Sequence, residues 1–402
     1  MAPRRVIAIL RQAGAAVLAA WVLGGCATPA IDSARYHYYA GQVDRAEAAL
    51  ADAKIPDKDR VLLLMERGTV RQALGAYEES SKDFIAAADL LEKLEAYSVS
   101  KNAASWVVND NTQNFRGTPF ERTLLHAFTA INHLAEGRWD DAAVEARRII
   151  KSLSPEVKGE YPDDAFSRYM AGFCLEMIDD PSNAALQYRL ASELAPHVAV
   201  DEVTGHLIPK AASTNMADLS ARTSNERPWP HELVCFVLLD RAPRGYDRWS
   251  DHWRPGLPTY ATLSCNGQEL GRSFNLSDTV ELAFTTDQLE ALRKAAKSVS
   301  RVVLKEVIAG QVEQKDEALG ELVRFILIGL LEQPDVRRWE TLPRWLQVAR
   351  VPCPPDLTSF DVQLKNAAGY TYRTIHVEKP IMRRRNTFVS FCRDLPVPRA
   401  KP

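Results

Sequence analysis

The sequence predicts a multidomain protein: an all-α helical solenoid in the N-terminal half, then a mixed α+β domain ending in a small β-sandwich-like module. Three observations carry this expectation. Residues 34–197 are rich in Ala, Leu and Glu with apolar residues at helical spacing. Within that stretch, glycine-led segments recur at a fixed spacing. After residue 231 the pattern changes to short apolar or alternating runs separated by turn residues, as strands require. A chain of 402 residues fits two or three domains. The expected boundaries are 1–25 for a leader, 26–33 for an acylated linker, 34–197 for the repeats, 198–230 for a linker, 231–342 for the α+β domain and 343–402 for the β module.

Taken in order, the chain opens with Arg4, Arg5 and Arg11, then an apolar run from Ala13 to Leu23. That run is short of the ~20 residues a spanning helix needs and fits an export signal. Leu23-Gly24-Gly25-Cys26 follows and resembles the bacterial lipobox. The resemblance implies cleavage between Gly25 and Cys26, then acylation of Cys26, with palmitate among the expected chains. Each buried CH₂ contributes about 0.8 kcal/mol to membrane attachment. Ala27 stands where an Asp would favour inner-membrane retention, so the expected address is the outer membrane, facing the periplasm. The covalent lipid is the only expected non-protein group.

The net charge of −2 becomes about −5 without the three leader arginines, which disfavours nucleic acid as a partner. With 46% hydrophobic and 25% charged residues the composition is that of ordinary globular protein. Besides Cys26, Cys174, Cys235, Cys265, Cys353 and Cys392 remain, with no CxxC spacing among them. Pairing of 235 with 265, or of 353 with 392, is open in an oxidising compartment. Cys174 sits in an apolar helical pattern and reads as core.

The repeats rest on four segments. Gly41, Val43, Ala46, Leu50 and Ala53 define the first; Gly75, Tyr77, Ser80, Phe84 and Ala87 the second. Gly137, Trp139, Ala142, Ala146 and Ile149 define the third. The fourth lacks the turn glycine but keeps Gly172, Ala184, Tyr188, Ala191 and Pro196. These positions resemble the tetratricopeptide repeat, a helix–turn–helix unit of 34 residues; Gly41 and Gly75 are one unit apart. The resemblance implies a stacked array used for protein–protein interaction. The interval from Gly75 to Gly137 exceeds one unit by 28, and the surplus falls around residues 98–118. Asn109 to Asn114 is acid- and amide-rich but lacks the Gly and Glu of a calcium loop, so a solvated loop is expected. Thr118, Pro119 and Glu121 read as a capping box opening a helix.

A second likeness starts there. Phe120-Glu121-Arg122, Leu124-Leu125-His126, Ala130-Ile131-Asn132 and Glu145-Ala146-Arg147-Arg148 look like an uncharacterised family of repeat-containing lipoproteins from Gram-negative bacteria. Asp335 to Trp339 and Leu342-Pro343 extend the likeness. It implies this architecture and a genomic association with activators of peptidoglycan synthases.

In the second half, Leu233 to Leu239 reads as a buried strand, Thr259–Leu263 and Gln268–Phe274 as a hairpin about Asn266-Gly267, and Val280–Phe284 as a further strand. Thr286–Ala309 and Lys315–Leu331 read as helices. Trp345–Val351, Asp361–Leu364, Tyr370–Val377 and Thr387–Phe391 read as strands.

Candidate chemistry is thin. His126 and His133 are seven apart, about 10.5 Å along a helix, and suit packing better than zinc. Tyr246, Asp247, Trp249, Asp251 and Trp253 interleave aromatics with acids, as sugar sites do, although a loop packed over the sheet reads better. Arg383 to Arg385 reads as a short exposed basic turn. No catalytic motif or metal site is present in the sequence. The expected function is therefore a non-enzymatic, membrane-anchored scaffold for envelope proteins, regulators of peptidoglycan synthesis among them. The alternatives are a glycan-binding protein or enzyme using loop 246–254, and a structural subunit of an envelope assembly.

Overall fold

A computed structural model describes residues 28–100, 114–210, 230–242, 259–293, 335 and 337–395. Cys26 with its leader, the 246–254 loop, most of Asn109–Asn114 and the expected helix 315–331 lie outside these residues.

The N-terminal half is helical. Four antiparallel pairs follow one another: α1 (Pro29–Tyr39) with α2 (Val43–Ala51), α3 (Arg60–Ala73) with α4 (Tyr77–Ser100), α5 (Pro119–Ala135) with α6 (Trp139–Ser152), and α8 (Ala165–Met177) with α9 (Pro181–Leu194). A one-turn helix, α7 (Pro155–Lys158), lies between the last two pairs. Part of the surplus between Gly75 and Gly137 lengthens α4. The capping box forms as expected, with Glu121 Oε2 accepting from the Thr118 N–H at 2.6 Å.

All four pairs turn in the same way. Gly41, Gly75 and Gly137 have φ of 73°, 78° and 69°, and Asp179 takes their place in the fourth turn at 66°. Each of these residues donates its N–H to the carbonyl three back, and the next residue donates to the carbonyl five back (Gln42 to His37, Ala76 to Arg71, Arg138 to His133, Asp180 to Leu175, all 2.8–3.0 Å). This is the Schellman ending, which satisfies the orphan carbonyls of a helix C-terminus. Asp tolerates the left-handed conformation better than most residues, which is why the fourth turn survives without glycine.

Packing within each pair is matched by volume. Seven residues before each turn stand Ala34, Gly68, Ala130 and Gly172; nine after it stand Leu50, Phe84, Ala146 and Tyr188, all buried except that glycines carry no side chain. A Cβ on Gly68 would lie 2.4 Å from the Phe84 ring, and one on Gly172 would lie 2.9 Å from that of Tyr188. Glycine faces the aromatic knobs, and alanine faces the smaller ones.

The second half is sheet-rich. A five-stranded sheet runs β10 (Ile381–Arg384), β11 (Thr387–Arg393), β3 (His231–Leu239), β7 (Trp345–Cys353), β6 (Phe274–Asp278). A four-stranded sheet runs β5 (Gln268–Arg272), β4 (Tyr260–Cys265), β8 (Phe360–Lys365), β9 (Thr371–Val377). β3 pairs parallel with β11 and antiparallel with β7. Its continuous apolar run is explained by burial of both faces: Val234, Phe236 and Leu238 pack toward the helices, and Leu233, Cys235, Val237 and Leu239 toward the four-stranded sheet. The molecule is thus layered as helices, five-stranded sheet, four-stranded sheet.

Four expectations change. Val280–Phe284 is not a strand but the start of a helix, α10 (279–293). Asp278 accepts the Val280 N–H at 2.8 Å, Ala283 is buried and Phe284 is exposed, so the short alternation was an ambiguous signal. The 198–230 linker contains a hairpin of β1 (Val198–Val200) and β2 (Leu207–Pro209), turned by Asp201, which accepts the N–H groups of Val203 and Thr204. The boundary at 342/343 does not separate modules, because β3 to β6 and β7 to β11 share both sheets. Pro196 is exposed rather than packed, and Ala195 takes the buried place.

Candidate peptide groove of the helical half

The first helices of the pairs all face the C-terminal half. On α8, Phe166, Tyr169 and Phe173 surround Phe236 of β3, with ring centroids 6.0, 6.5 and 5.6 Å away. On α1, α3 and α5, the corresponding face holds a segment of the same chain, Arg337 to Leu342, irregular to Trp339 and turning at Glu340–Thr341, all of it buried.

Four main-chain groups of this segment bond to helical side chains. The Trp339 N–H donates to Glu121 Oε1 at 2.8 Å, and the Glu340 N–H donates to Glu66 Oε1 at 3.0 Å. Arg35 donates to the Arg338 carbonyl at 2.5 Å, and the Tyr39 hydroxyl to that of Glu340 at 2.5 Å. Glu121 therefore works twice, one oxygen closing the capping box and the other receiving the segment. Such carboxylates lose hydration on burial, and charge-assisted bonds of this kind offset that loss.

The Trp339 ring fills a pocket between Phe84 and Phe128, at 5.7 and 5.5 Å, and its indole N–H donates to Thr69 Oγ1 at 2.9 Å. Arg337 pairs with Asp59 at 2.7 Å, and Arg338 with Asp287 of α10. The Glu340 carboxylate lies 3.4 Å from both Arg35 and Arg241. Burial works against the charge of Arg35, but Glu66 and Glu340 outweigh it and raise its pKa. Burial pushes the Tyr39 phenol far above its usual range, so it acts here as a neutral donor.

A polar string ties the groove walls. Gln72 Nε2 donates to Asn132 Oδ1 at 2.6 Å, Asn132 Nδ2 to Ser80 Oγ at 2.9 Å, and Ser80 Oγ to the Gly68 carbonyl at 2.7 Å. At the far end, Arg350 of β7 forks between Glu176 of α8, at 2.7 Å, and Glu232 of β3, with His206 3.2 Å from Glu232. Burial raises the Glu232 carboxyl, but Arg350 and His206 more than reverse this and hold it well below the carboxylate range.

The residues singled out in the sequence are distributed as follows. Ala46, Ala142, Ala184 and Ala191 are buried between helices, and Gly172 lies under Tyr188. Tyr77 and Trp139 are half-buried and reach across to the other half. Tyr77 meets Phe391 edge-on at 5.5 Å, and Arg384 lies over Trp139 at 5.8 Å. The basic turn is thus seated on the repeats, with Arg385 paired to Asp179. His126 bonds Glu145 at 2.8 Å, while buried His133 leaves Nδ1 without a partner among the described residues. Cys174, Cys235, Cys265, Cys353 and Cys392 are free thiols, and neither pairing considered above is formed. Burial pushes the Cys353 and Cys392 thiols up to about 12, where they are unreactive. Among the described residues no group of three metal-ligating side chains occurs, and no helix is long and apolar enough to cross a membrane. The groove residues Arg35, Tyr39, Glu66 and Thr69 escaped the sequence reading. Their signal is a polar residue recurring on the otherwise apolar face of a first helix.

No protein-family profile and no curated protein matches the sequence. Among solved structures, the Rap conjugation gene regulator of the plasmid pLS20, in complex with the Phr* peptide, is similar at 13% identity and a TM-score of 0.25. The match covers 40% of this chain and 40% of that one, and a likeness this slight carries no argument about fold or partner.

Proposed function

We propose that the helical half is a tetratricopeptide-like solenoid acting as a protein-interaction scaffold, and that the sheet half is a sandwich docked on its inner face. The observation that supports this most is the groove on α1, α3 and α5, which takes up a strand-free stretch of chain through its main-chain groups and one aromatic side chain. A helical array that binds backbone in this manner suits segments of other proteins, since the same groups are present in any chain. The lipobox-like Leu23 to Cys26 supports attachment through lipid on Cys26, with the scaffold working at a bacterial membrane on the periplasmic side. Its partners are then envelope proteins, with regulators of peptidoglycan synthesis the first class to examine.

In-cell crosslinking of the wild type and of Cys26→Ser tests the reading. Recovery of a specific envelope protein by the wild type, lost or mislocalised in Cys26→Ser, is the expected result. Recovery of no specific protein by either form sinks it.

A further inference from the structure

The geometry points to the groove as a peptide site already filled by the chain's own segment, so that a partner segment of the same chemistry competes with residues 337–341. This rests on the scaffold reading and names its ligand class: a basic–aromatic stretch of the form Arg-Arg-Trp-Glu that turns after its aromatic residue.

Each part of that description follows from a contact. Glu66, Glu121, Arg35 and Tyr39 bind two N–H and two carbonyl groups, which fixes a backbone that turns at Glu340 without reading its side chains. Specificity comes from the pocket of Phe84, Phe128 and Thr69, which holds an indole and offers an acceptor to its N–H. A phenylalanine would leave that acceptor unused. Asp59 and Asp287 lie where the two preceding residues place positive charge. Arg35 and Arg241 lie where the following residue places negative charge. The string of basic, basic, aromatic, acidic is read jointly, by Asp59, the Phe84–Phe128 pocket and Arg35 of the groove and by Asp287 and Arg241 of the sheet half that faces it.

The occupant is also attached in a way that permits exchange. Residues 337–341 belong to no strand; side chains of α1, α3 and α5 hold them from one side, and from the sheet half Arg241 and Asp287 pair with their charges and Arg393 of β11 donates to the Thr341 carbonyl at 3.4 Å. Main-chain ties to the sheet half resume at Leu342, whose carbonyl accepts from Ala242 at 2.8 Å, and at Arg344, whose N–H donates to Leu239 at 2.9 Å. Leu342 is therefore the pivot. Release of 337–341 leaves the β3–β7 ladder intact, because that ladder starts at Trp345. A tethered occupant has a high effective concentration, so an incoming segment must bind in more than one place or arrive locally concentrated, as it would on a shared membrane.

The test uses the full-length protein lacking only residues 1–26, and a fluorescent peptide with the sequence of residues 335–343. The double variant Arg337→Ala/Trp339→Ala empties the Phe84–Phe128 pocket and frees Asp59, which weakens the tethered segment's hold on the groove. It is expected to bind the peptide at least tenfold more tightly than the wild type does. Adding Thr69→Val, which removes the groove's acceptor for the indole N–H and leaves only Thr341 Oγ1 of the segment itself at 3.1 Å, should weaken binding at least threefold. A peptide carrying Trp339→Ala should not bind. If the double variant loses its helical circular dichroism, Trp339→Phe replaces it, with a threefold gain over wild type as the expected result. A folded variant that takes up no peptide overturns the inference, as does equal binding of the peptide carrying Trp339→Ala. Either outcome, alongside a specific partner recovered in cells, would leave the scaffold reading in place and move the binding surface elsewhere.

Discussion

The two halves of the molecule are assembled by opposite rules. In the helical half, each helix packs on the next one in the chain, through the same turn used four times. In the sheet half, the central strand β3 lies between β7 and β11, more than a hundred residues away in sequence. Local assembly gives contacts that a short stretch specifies by itself. Distant assembly depends on which strands find one another, and here the helical face helps to decide it. Phe236 is fixed by three rings of α8, and Arg350 of β7 is fixed by Glu176 of the same helix. The halves are therefore one folding unit with two kinds of wiring.

The severest break in this arrangement is Trp339→Ala, which empties the pocket where the halves meet. A loss of about 3–5 kcal/mol is expected for a buried aromatic of this size, read from urea unfolding. Hydrogen exchange should rise in α3 and α5 as well as near residue 339. A loss confined to the sheet half would show that the segment is only an appendage.

Next in size are the glycine–aromatic contacts. Gly172→Ala and Gly68→Ala are each expected to cost about 1–3 kcal/mol through overpacking. Tyr188→Leu combined with Gly172→Ala recreates the Ala34–Leu50 pairing of the first helix pair. The double variant should recover more than the sum of the single effects allows, in a double-mutant cycle. Simple additivity would mean that the matching of knob and hole is coincidental.

The turns provide a finer test of the repeat. Gly75→Ala forces a side chain into the left-handed region and is expected to cost about 1–2 kcal/mol. Asp179→Gly relieves that conformation but gives up an exposed ion pair with Arg385 that solvent screens. The two effects should nearly cancel, leaving a change smaller than that of Gly75→Ala. A large loss on Asp179→Gly would show that the fourth turn depends on its side chain and not on its backbone.

Acid should act on both halves, with a definite sign. Burial lowers the pKa of His133, so its contribution is complete above 6.5, the unfolded value, and is lost as pH falls below it. Glu232 is likewise depressed, so its contribution is complete above 4.5 and declines as pH falls further. Asp164 has the opposite sign. Burial raises its carboxyl despite bonds from Ser167 and Ser277, so protonation favours the folded state and its contribution is lost as pH rises from 3.8. Melting temperature should therefore fall from pH 6.5 toward pH 4, and fall again above pH 9.0, where the raised thiols of Cys353 and Cys392 lose their contribution. Asp164→Asn should make the acid-side fall steeper, and a shallower one would contradict the assignment.

Much of the helical half is readable from sequence because its determinants are close together. Gly41, Gly75 and Gly137 announce turns by residue type and spacing, and Thr118-Pro119-Phe120-Glu121 announces a helix start. Asp179 was passed over because the left-handed position was sought only in glycine. Asn266-Gly267 marked its hairpin correctly, with φ of 50° and 78°, since that signal too is local. Ile381–Arg384 is hard to read as a strand because Arg383 and Arg384, with Arg385 after them, disguise it, and among the described residues it pairs only with β11. The groove was illegible for a stronger reason. Trp339 and Glu121 stand far apart in the chain, and nothing near either residue specifies the other.

The placement of β11 has a consequence for how the sheet closes. Thr387–Arg393 lie far from β3 in sequence, yet they form an inner strand beside Val234, Phe236 and Leu238. Until they dock, β3 shows an open hydrophobic edge, of the kind that recruits proteases and seeds aggregation. The interior strand thus works as a latch. Only its arrival conceals the feature that would mark the chain for disposal.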